Sequence, residues 1–263
     1  MKKRILLTVA LVLSVALLVG CATEADSVLD KINQAGTVVV GTSADYPPYE
    51  YIDDAGAMTG FDIELMTEIV KRMGVELQWE DMPFDSLVAA VNSGKLDMSI
   101  SCFNYDEERD LTVDFSEAYY TTEDAFVVSS AFTGSIVVPE DAANYKVGVQ
   151  SGTVQDGWLT DNLVTPGLLS EANLSRYERV DQAALDLASG RIDVLMGDYV
   201  PVQALVAQNP DLLVVFHGEL STGPINIVLP EGDTALKAEV DRIIKELQAE
   251  GFIDQLAVKY FSE

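Results

Sequence analysis

Apolar positions along this chain switch between two periods, and the switching predicts most of its elements. Thr37–Gly41 is a run of consecutive β-branched residues, the pattern of a strand buried on both faces. Asp62–Met73 instead sets Ile63, Met66, Ile69, Val70 and Met73 on one helical stripe, with Gly74 as its stop. A strand at Val75–Trp79, a helix at Phe84–Asn92 closed near Gly94, and a strand at Leu96–Ser101 follow. This β-α-β-α-β order predicts parallel strands joined by right-handed crossovers. A brief helix at Val28–Gln34 precedes it. The loop from Thr42 to Tyr49 carries Tyr46, Pro47 and Pro48; the prolines stiffen it and keep it out of a sheet. Open α/β sheets hold ligands at such carboxyl ends of strands. A hairpin-like excursion occupies Tyr49–Gly60.

Beyond Thr112–Ser116 the series starts again. Strands are predicted at Ala125–Ser129, Lys146–Gln150, Ser175–Val180, Ile192–Met196 and Leu212–Gly218. Helices are predicted from about Thr153, at Gln182–Ala188 behind an Asp181 cap, and at Val200–Gln208. The stretch Ser189-Gly190-Arg191-Ile192-Asp193 matches Ser93-Gly94-Lys95-Leu96-Asp97 in spacing and type, each closing a helix and opening a strand. A strand at Asn226–Leu229, a helix at Thr234–Glu250 with Leu236, Val240, Ile243, Ile244 and Leu247 inside, and a helix at Phe252–Phe261 end the chain. The fold class is therefore α/β, one pattern used twice with a tail that returns to the first copy. The expected lobes are residues 29–118 with 227–263, and 124–221. Crossing segments at 119–123 and 222–226 would act as hinges around a ligand cleft.

The amino terminus changes this picture. Lys2, Lys3 and Arg4 precede an uncharged apolar run, Ile5–Val19, that is too short for a membrane span of about 20 residues. Residues 1–20 are read as a signal peptide. Leu18-Val19-Gly20-Cys21 resembles a lipobox, so the exported product would begin at Cys21, lipidated there and tethered through residues 21–28; a plain secretory leader is the simpler alternative. Two or more acyl chains anchor stably where one is marginal. The lipid would be the protein's only membrane attachment, at the outer face of the cell membrane or in the periplasm. One other cysteine remains, Cys102, which excludes an intramolecular disulfide and reads as a small buried hydrophobe. The formal charge of −27 becomes −30 once the three basic residues of the leader are removed. That field repels nucleic acid and anionic headgroups, so neither is a partner.

Arg109 lies in a polar turn among Asp106, Glu107, Glu108 and Asp110. It either satisfies those neighbours or presents a planar guanidinium that grips a carboxylate with two parallel hydrogen bonds. Around it, Gly60-Phe61-Asp62-Ile63-Glu64-Leu65, Asp45-Tyr46-Pro47-Pro48-Tyr49-Glu50, Glu108-Arg109, Asp114-Phe115-Ser116, Val147–Thr153 and Gly197-Asp198 fall in an order that resembles the polar-amino-acid family of bacterial extracellular solute-binding proteins. These are the ligand-capturing subunits of ABC importers. The resemblance spans residues 29–263 and implies a two-lobed periplasmic-binding-protein-like fold, a monomer that docks on a membrane permease, and an L-amino acid as ligand.

Residue by residue, it implies that Arg109 clamps the ligand's α-carboxylate with help from Thr153. Asp198 would take the α-ammonium, assisted by the Ser101 carbonyl, and Tyr46 and Phe84 would flank the side chain. A zwitterion taken out of water needs such a fixed cation and anion. Ser43 stands where relatives that bind cationic amino acids carry a carboxylate, and Asn104 where Thr or Ser is usual. Cys102 replaces a frequent glycine, and Gln150 and Val154 occupy variable positions. With Gln150, Asn104 and Gln155 offering amides, the sequence predicts a neutral polar ligand of glutamine's size, an order that Asp45 or Glu50 would reverse by reaching the pocket. No Ser/His/Asp set or metal-ligand spacing is visible, His217 reads as structural, and neither catalysis, metal nor cofactor is expected. The alternatives are a ligand-sensing module for a receptor and an enzyme resembling cyclohexadienyl dehydratases.

Overall fold

The computed structural model describes residues 27–221 and 223–261. The leader, Cys21 with most of its tether, and Thr222 of the second expected crossing lie outside the described residues. None of the described helices is long and apolar enough to cross a membrane.

Two sheets organise the chain. The first has strand order β5(Glu76–Asp81), β1(Thr37–Thr42), β6(Met98–Asn104), β14(Pro224–Pro230), β7(Val113–Phe115), with β8(Tyr120–Thr121) also on β14. The second runs β11(Leu174–Tyr177), β10(Val147–Gln150), β12(Val194–Asp198), β9(Asp124–Ser129), β13(Leu212–Gly218). In each, three strands are parallel, as the β-α-β-α-β order requires. The strands added beyond them, β14 and β9, are antiparallel. The prolines do not exclude the first loop from a sheet: β2(Asp45–Tyr46) pairs with β3(Glu50–Ile52), and that with β4(Met58–Thr59). Pro47 and Pro48 form the turn between two paired strands, where their missing N–H groups cost no ladder bond.

The sequence repeat is a repeated piece of structure. Asp97 receives the Val39 amide on its carboxylate at 2.8 Å and returns its own amide to the Val39 carbonyl at 2.9 Å. Asp193 does the same with Lys146, at 2.9 and 2.8 Å. Two residues along each clasped strand stands a glycine, and the close approach explains it. A Cβ on Gly41 would lie 2.3 Å from Leu96, and one on Gly148 2.4 Å from Ile192. Each lobe thus closes its second crossover with the same clasp and with an aliphatic side chain, Leu96 or Ile192, laid over the first strand.

Both faces of each sheet are covered. α2(Phe61–Met73), α7(Thr234–Ala249) and α8(Phe252–Phe261) bury Leu65, Met66, Ile69, Val240, Ile244 and Leu256 against one face of the first sheet, so the tail does return to the first lobe. α3(Phe84–Asn92) covers the other with Phe84, Leu87 and Val91. Cores around Phe126 and Leu159, and around Leu187 and Leu195, cover the two faces of the second sheet. The crossings run side by side, with the Thr122 amide on the Gly223 carbonyl at 2.9 Å. Tyr120–Thr121 and Pro224–Ile225 are already paired strand positions on the first-sheet side of them.

Several boundaries differ from the sequence reading, and two differences matter. β6 does not turn after Ser101 but runs buried to Asn104, bent at Cys102, whose φ of 48° is the left-handed region that favours glycine. Helix α5(Val180–Ala188) starts at Val180 behind Arg179, so Asp181 is in its first turn and is not its cap. The missing cap is supplied from the other lobe: the Val180 amide donates to Asp45 Oδ2 at 2.6 Å.

Removing the clasp carboxylate in Asp97→Ala leaves the Val39 amide unpaired, which should cost about 1–3 kcal/mol in urea unfolding. Leu111→Ala, at a side chain 79% exposed, should stay within about 0.5 kcal/mol. Equal effects of the two would remove the clasp from the account of stability.

Candidate functional site

The ends of β1, β6, β10 and β12 meet between the lobes around about 310 Å³ of space not filled by protein atoms. All ten residues that the sequence nominated, Ser43, Tyr46, Phe84, Ser101, Cys102, Asn104, Arg109, Gln150, Thr153 and Asp198, are on its wall. Four more complete it: Asp45, Glu50, Val154 and Gln155.

The guanidinium of Arg109 turns away from its acidic neighbours and lines the cavity. Two of its acidic neighbours are engaged elsewhere: Asp106 accepts the Arg109 amide at 2.9 Å and Asp110 accepts the Tyr105 hydroxyl at 3.0 Å. The guanidinium lies over the rings of Phe84 and Phe103, 5.5 and 5.8 Å from their centroids. It donates to the Gly152 carbonyl across the cleft and, at 3.4 Å, to that of Asn104. Among the described residues no carboxylate makes an ion pair with it. Burial lowers its pKa from the ordinary arginine value, opposed by the nearby charge of Asp106. Phe84, stacked on Phe103 at 4.6 Å, therefore supports the cation as well as lining the cavity.

Thr153 caps α4(Val154–Leu159): its hydroxyl accepts the Asp156 amide at 3.2 Å and donates to the Gln150 carbonyl at 2.9 Å. The hydroxyl is thus engaged within the second lobe. Asn104 brings a buried side-chain N–H group that finds no acceptor in the protein.

Asp198 ends β12 at the other wall. The Tyr46 hydroxyl donates to its carboxylate at 2.7 Å and accepts from its amide at 2.8 Å, joining the lobes in both directions. Burial raises the Asp198 pKa to about 7 against the Tyr46 hydrogen bond that lowers it, with Asp124 nearby adding to the rise. Asp45 receives Ser43 Oγ at 2.8 Å as well as the Val180 amide, and Arg179 approaches it at 3.9 Å while bonding Asp81 at 2.9 Å. Burial still raises the Asp45 pKa to about 6.

Glu50 is the least solvated acid of the wall. Ser101 Oγ donates to Oε1 at 2.8 Å, and the same Ser101 oxygen receives the Ser43 amide at 3.1 Å. Its other oxygen, Oε2, is buried without a donor, and the buried Asp62 carboxyl is its charged neighbour. Asp62 Oδ2 accepts the Cys102 amide and the Tyr119 hydroxyl, both at 2.8 Å. Asp45 and Glu50 stand in a stretch that the sequence singles out, yet the residue pattern does not show that both face inward. The legible signal was the Pro47-Pro48 turn, which folds the chain back so that Glu50 lies opposite Tyr46. Among the described residues no group of His, Cys, Asp and Glu is placed to hold a metal ion. His217 is elsewhere, its ring stacked on Tyr199 and its Nδ1 3.2 Å from Glu123.

Two mixed α/β lobes closing on a buried, charged cavity define a two-lobed solute receptor. Residues 38–263 match the model of the bacterial extracellular solute-binding proteins, family 3, and the chain belongs to that family. It is 29% identical over 253 residues to the L-cystine-binding protein TcyJ of Escherichia coli (strain K12), covering 95% of this chain and 93% of that protein. Among solved structures it resembles the P235GK mutant of ArgBP from T. maritima, with 35% identity, a TM-score of 0.82, and coverage of 90% of this chain and 100% of that one. It also resembles an ancestral arginine-binding protein in two states. Bound to arginine, that protein gives 31% identity, a TM-score of 0.81 and coverage of 86% and 99%; bound to glutamine, 33%, 0.79, and 87% and 99%.

The buried acids set a pH dependence. Asp45 and Asp198 hold their protons in the folded protein to about pH 6 and 7, but lose them near pH 4 when unfolded. Their contribution is complete below the unfolded value and is lost as pH rises through the folded one. The melting temperature of the ligand-free protein should therefore fall by several degrees from pH 5 to pH 8, since about 1 kcal/mol moves it by roughly 2–4 °C at this size. A rise over that interval would contradict the burial of these groups.

Proposed function

We propose that this protein is the extracellular capture subunit of an ABC importer for amino acids, held at the membrane by lipid on Cys21, and that its preferred ligand carries a basic side chain. One observation carries the reading: the cavity wall pairs a single cation, Arg109, with three acids, Asp45, Glu50 and Asp198. Arg109 and Asp198 match the two charges of an α-amino acid zwitterion and leave two acids over for its side chain. The site is enclosed between the ends of strands from both lobes, which favours one amino acid over a peptide. The case for a neutral side chain rested on the missing carboxylate at Ser43. Asp45 and Glu50 on the wall supply what Ser43 lacks, so the order is reversed in favour of a base. The relatives named for arginine support this, and the arginine-binding ancestor with glutamine bound makes an amide ligand the natural competitor. Residues 29–118 with 227–263, and 124–221, serve as the closing lobes of a monomer, and the permease reads the closed form.

Truncating one member of a buried charged pair costs about 2–5 kcal/mol, so Arg109→Ala should weaken binding by ~30-fold or more. In side-by-side calorimetric titrations of the wild type, arginine should bind at least ~10-fold tighter than glutamine, and glutamate weakest. Glutamine equal to or tighter than arginine would refute the basic preference, and an unchanged Arg109→Ala affinity would refute the clamp.

A further inference from the structure

Glu50 and Asp62 are two carboxyl groups in one water-excluded place, and their surroundings are unequal. Asp62 is served by two donors, the Cys102 amide and the Tyr119 hydroxyl. Glu50 is served by one, Ser101 Oγ. Both of the oxygens left over, Glu50 Oε2 and Asp62 Oδ1, are buried with no N–H or O–H of another residue on them. Two carboxylates in contact cannot both stay ionised out of water. A proton between them satisfies both leftover oxygens at once, and the better-solvated Asp62 is the member that keeps the negative charge. Every neighbour that faces Glu50 opposes a second charge or is neutral. Asp45 comes from β2, Asp62 from α2 and Ser101 from β6, and Cys102 and Tyr119 complete the setting. Burial and Asp62 raise the Glu50 pKa well above the ordinary glutamate value. The single cation lining the cavity, Arg109, is held by the carbonyls of Asn104 and Gly152.

Only one member of this pair reaches the ligand cavity. Glu50 is on its wall, while Asp62 lies behind it and is not.

We propose that Glu50 and Asp62 share one proton in the ligand-free protein and that the side-chain cation of a bound basic amino acid expels it, so that binding such a ligand releases a proton that binding a neutral amino acid does not. This rests on the basic preference argued above. The Glu50 O–H proton passes to solvent, the Glu50 carboxylate pairs with the entering cation, and Asp62 keeps the Cys102 and Tyr119 hydrogen bonds. The buried region carries one net negative charge before and after, so exchanging a proton for a cation adds no uncompensated charge to the interior. A neutral head group leaves Glu50 protonated, as a donor to Asp62. The pair is thereby a chemical discriminator, coupling side-chain charge to the pH of the medium in which the protein captures its ligand. Affinity for a basic ligand gains from rising pH relative to a neutral one.

The test is calorimetry of arginine and of glutamine at pH 8, in two buffers of different ionisation enthalpy. Asp45 and Asp198, at about 6 and 7, are then already ionised, and the α-amino groups of the two ligands contribute alike. Arginine should release close to one proton more than glutamine, and Glu50→Gln should bring that difference to zero. Equal release by the two ligands in the wild type overturns the shared proton while leaving the basic preference intact. An absence of saturable arginine heat is a different result, which overturns the basic preference and this inference with it. Infrared spectroscopy of the wild type gives a readout that depends on no variant. A protonated-carboxyl C=O band at pH 8 should be present without ligand and weaken on adding arginine but not glutamine. A band unchanged by arginine overturns the proposal.

Discussion

A half-buried guanidinium with no carboxylate partner among the described residues is the constraint around which the first lobe is arranged. Arg109 cannot shed its proton at any ordinary pH, so burial must be offset by what surrounds it. Two stacked phenylalanines supply ring faces, two carbonyls accept its hydrogens, and Asp106 caps the turn that aims it inward. One of those carbonyls, that of Gly152, belongs to the second lobe. The cation is therefore shared between the lobes, because part of its solvation exists only when they meet.

The same logic runs through the acids. Asp45 takes the first amide of a second-lobe helix, Asp198 takes the hydroxyl of a first-lobe tyrosine, and Arg179 pairs with Asp81. Each contact that closes the cleft satisfies a polar group that open lobes would leave to water. These bonds are individually modest, of the order of 1 kcal/mol net, as the proposed cycle of capture and release requires. The duplicated clasp of Asp97 and Asp193 lies within the lobes instead, tying the start of one parallel strand to its neighbour in each sheet.

Much of this was legible in the sequence, for reasons that are local. The stripe Leu236, Val240, Ile243, Ile244 and Leu247 is buried as the period requires, and the Ser-Gly-basic-aliphatic-Asp repeat marked the same turn in both lobes. The ten nominated residues surround one cavity because family order fixes strand ends. What escaped were the features made by contact between distant segments. Asp181 is a sound cap on sequence grounds, but the acceptor for that helix is Asp45 in the other lobe. Ser101 ends an alternating run, yet β6 continues to Asn104 because both of its faces are covered, and Cys102 tolerates a left-handed backbone where its amide meets Asp62. The inward turn of Glu50 depends on strand pairing two residues long, below what any periodicity can reveal.

The central claim is that a basic amino acid lies between the lobes with its three charges on three named groups. A crystal grown with saturating arginine would display this directly. The expected density has the α-carboxylate on Arg109, the α-ammonium on Asp198 and the guanidinium against Glu50. Arginine bound with its guanidinium away from Glu50 and Asp45, or density outside the cavity, would contradict it.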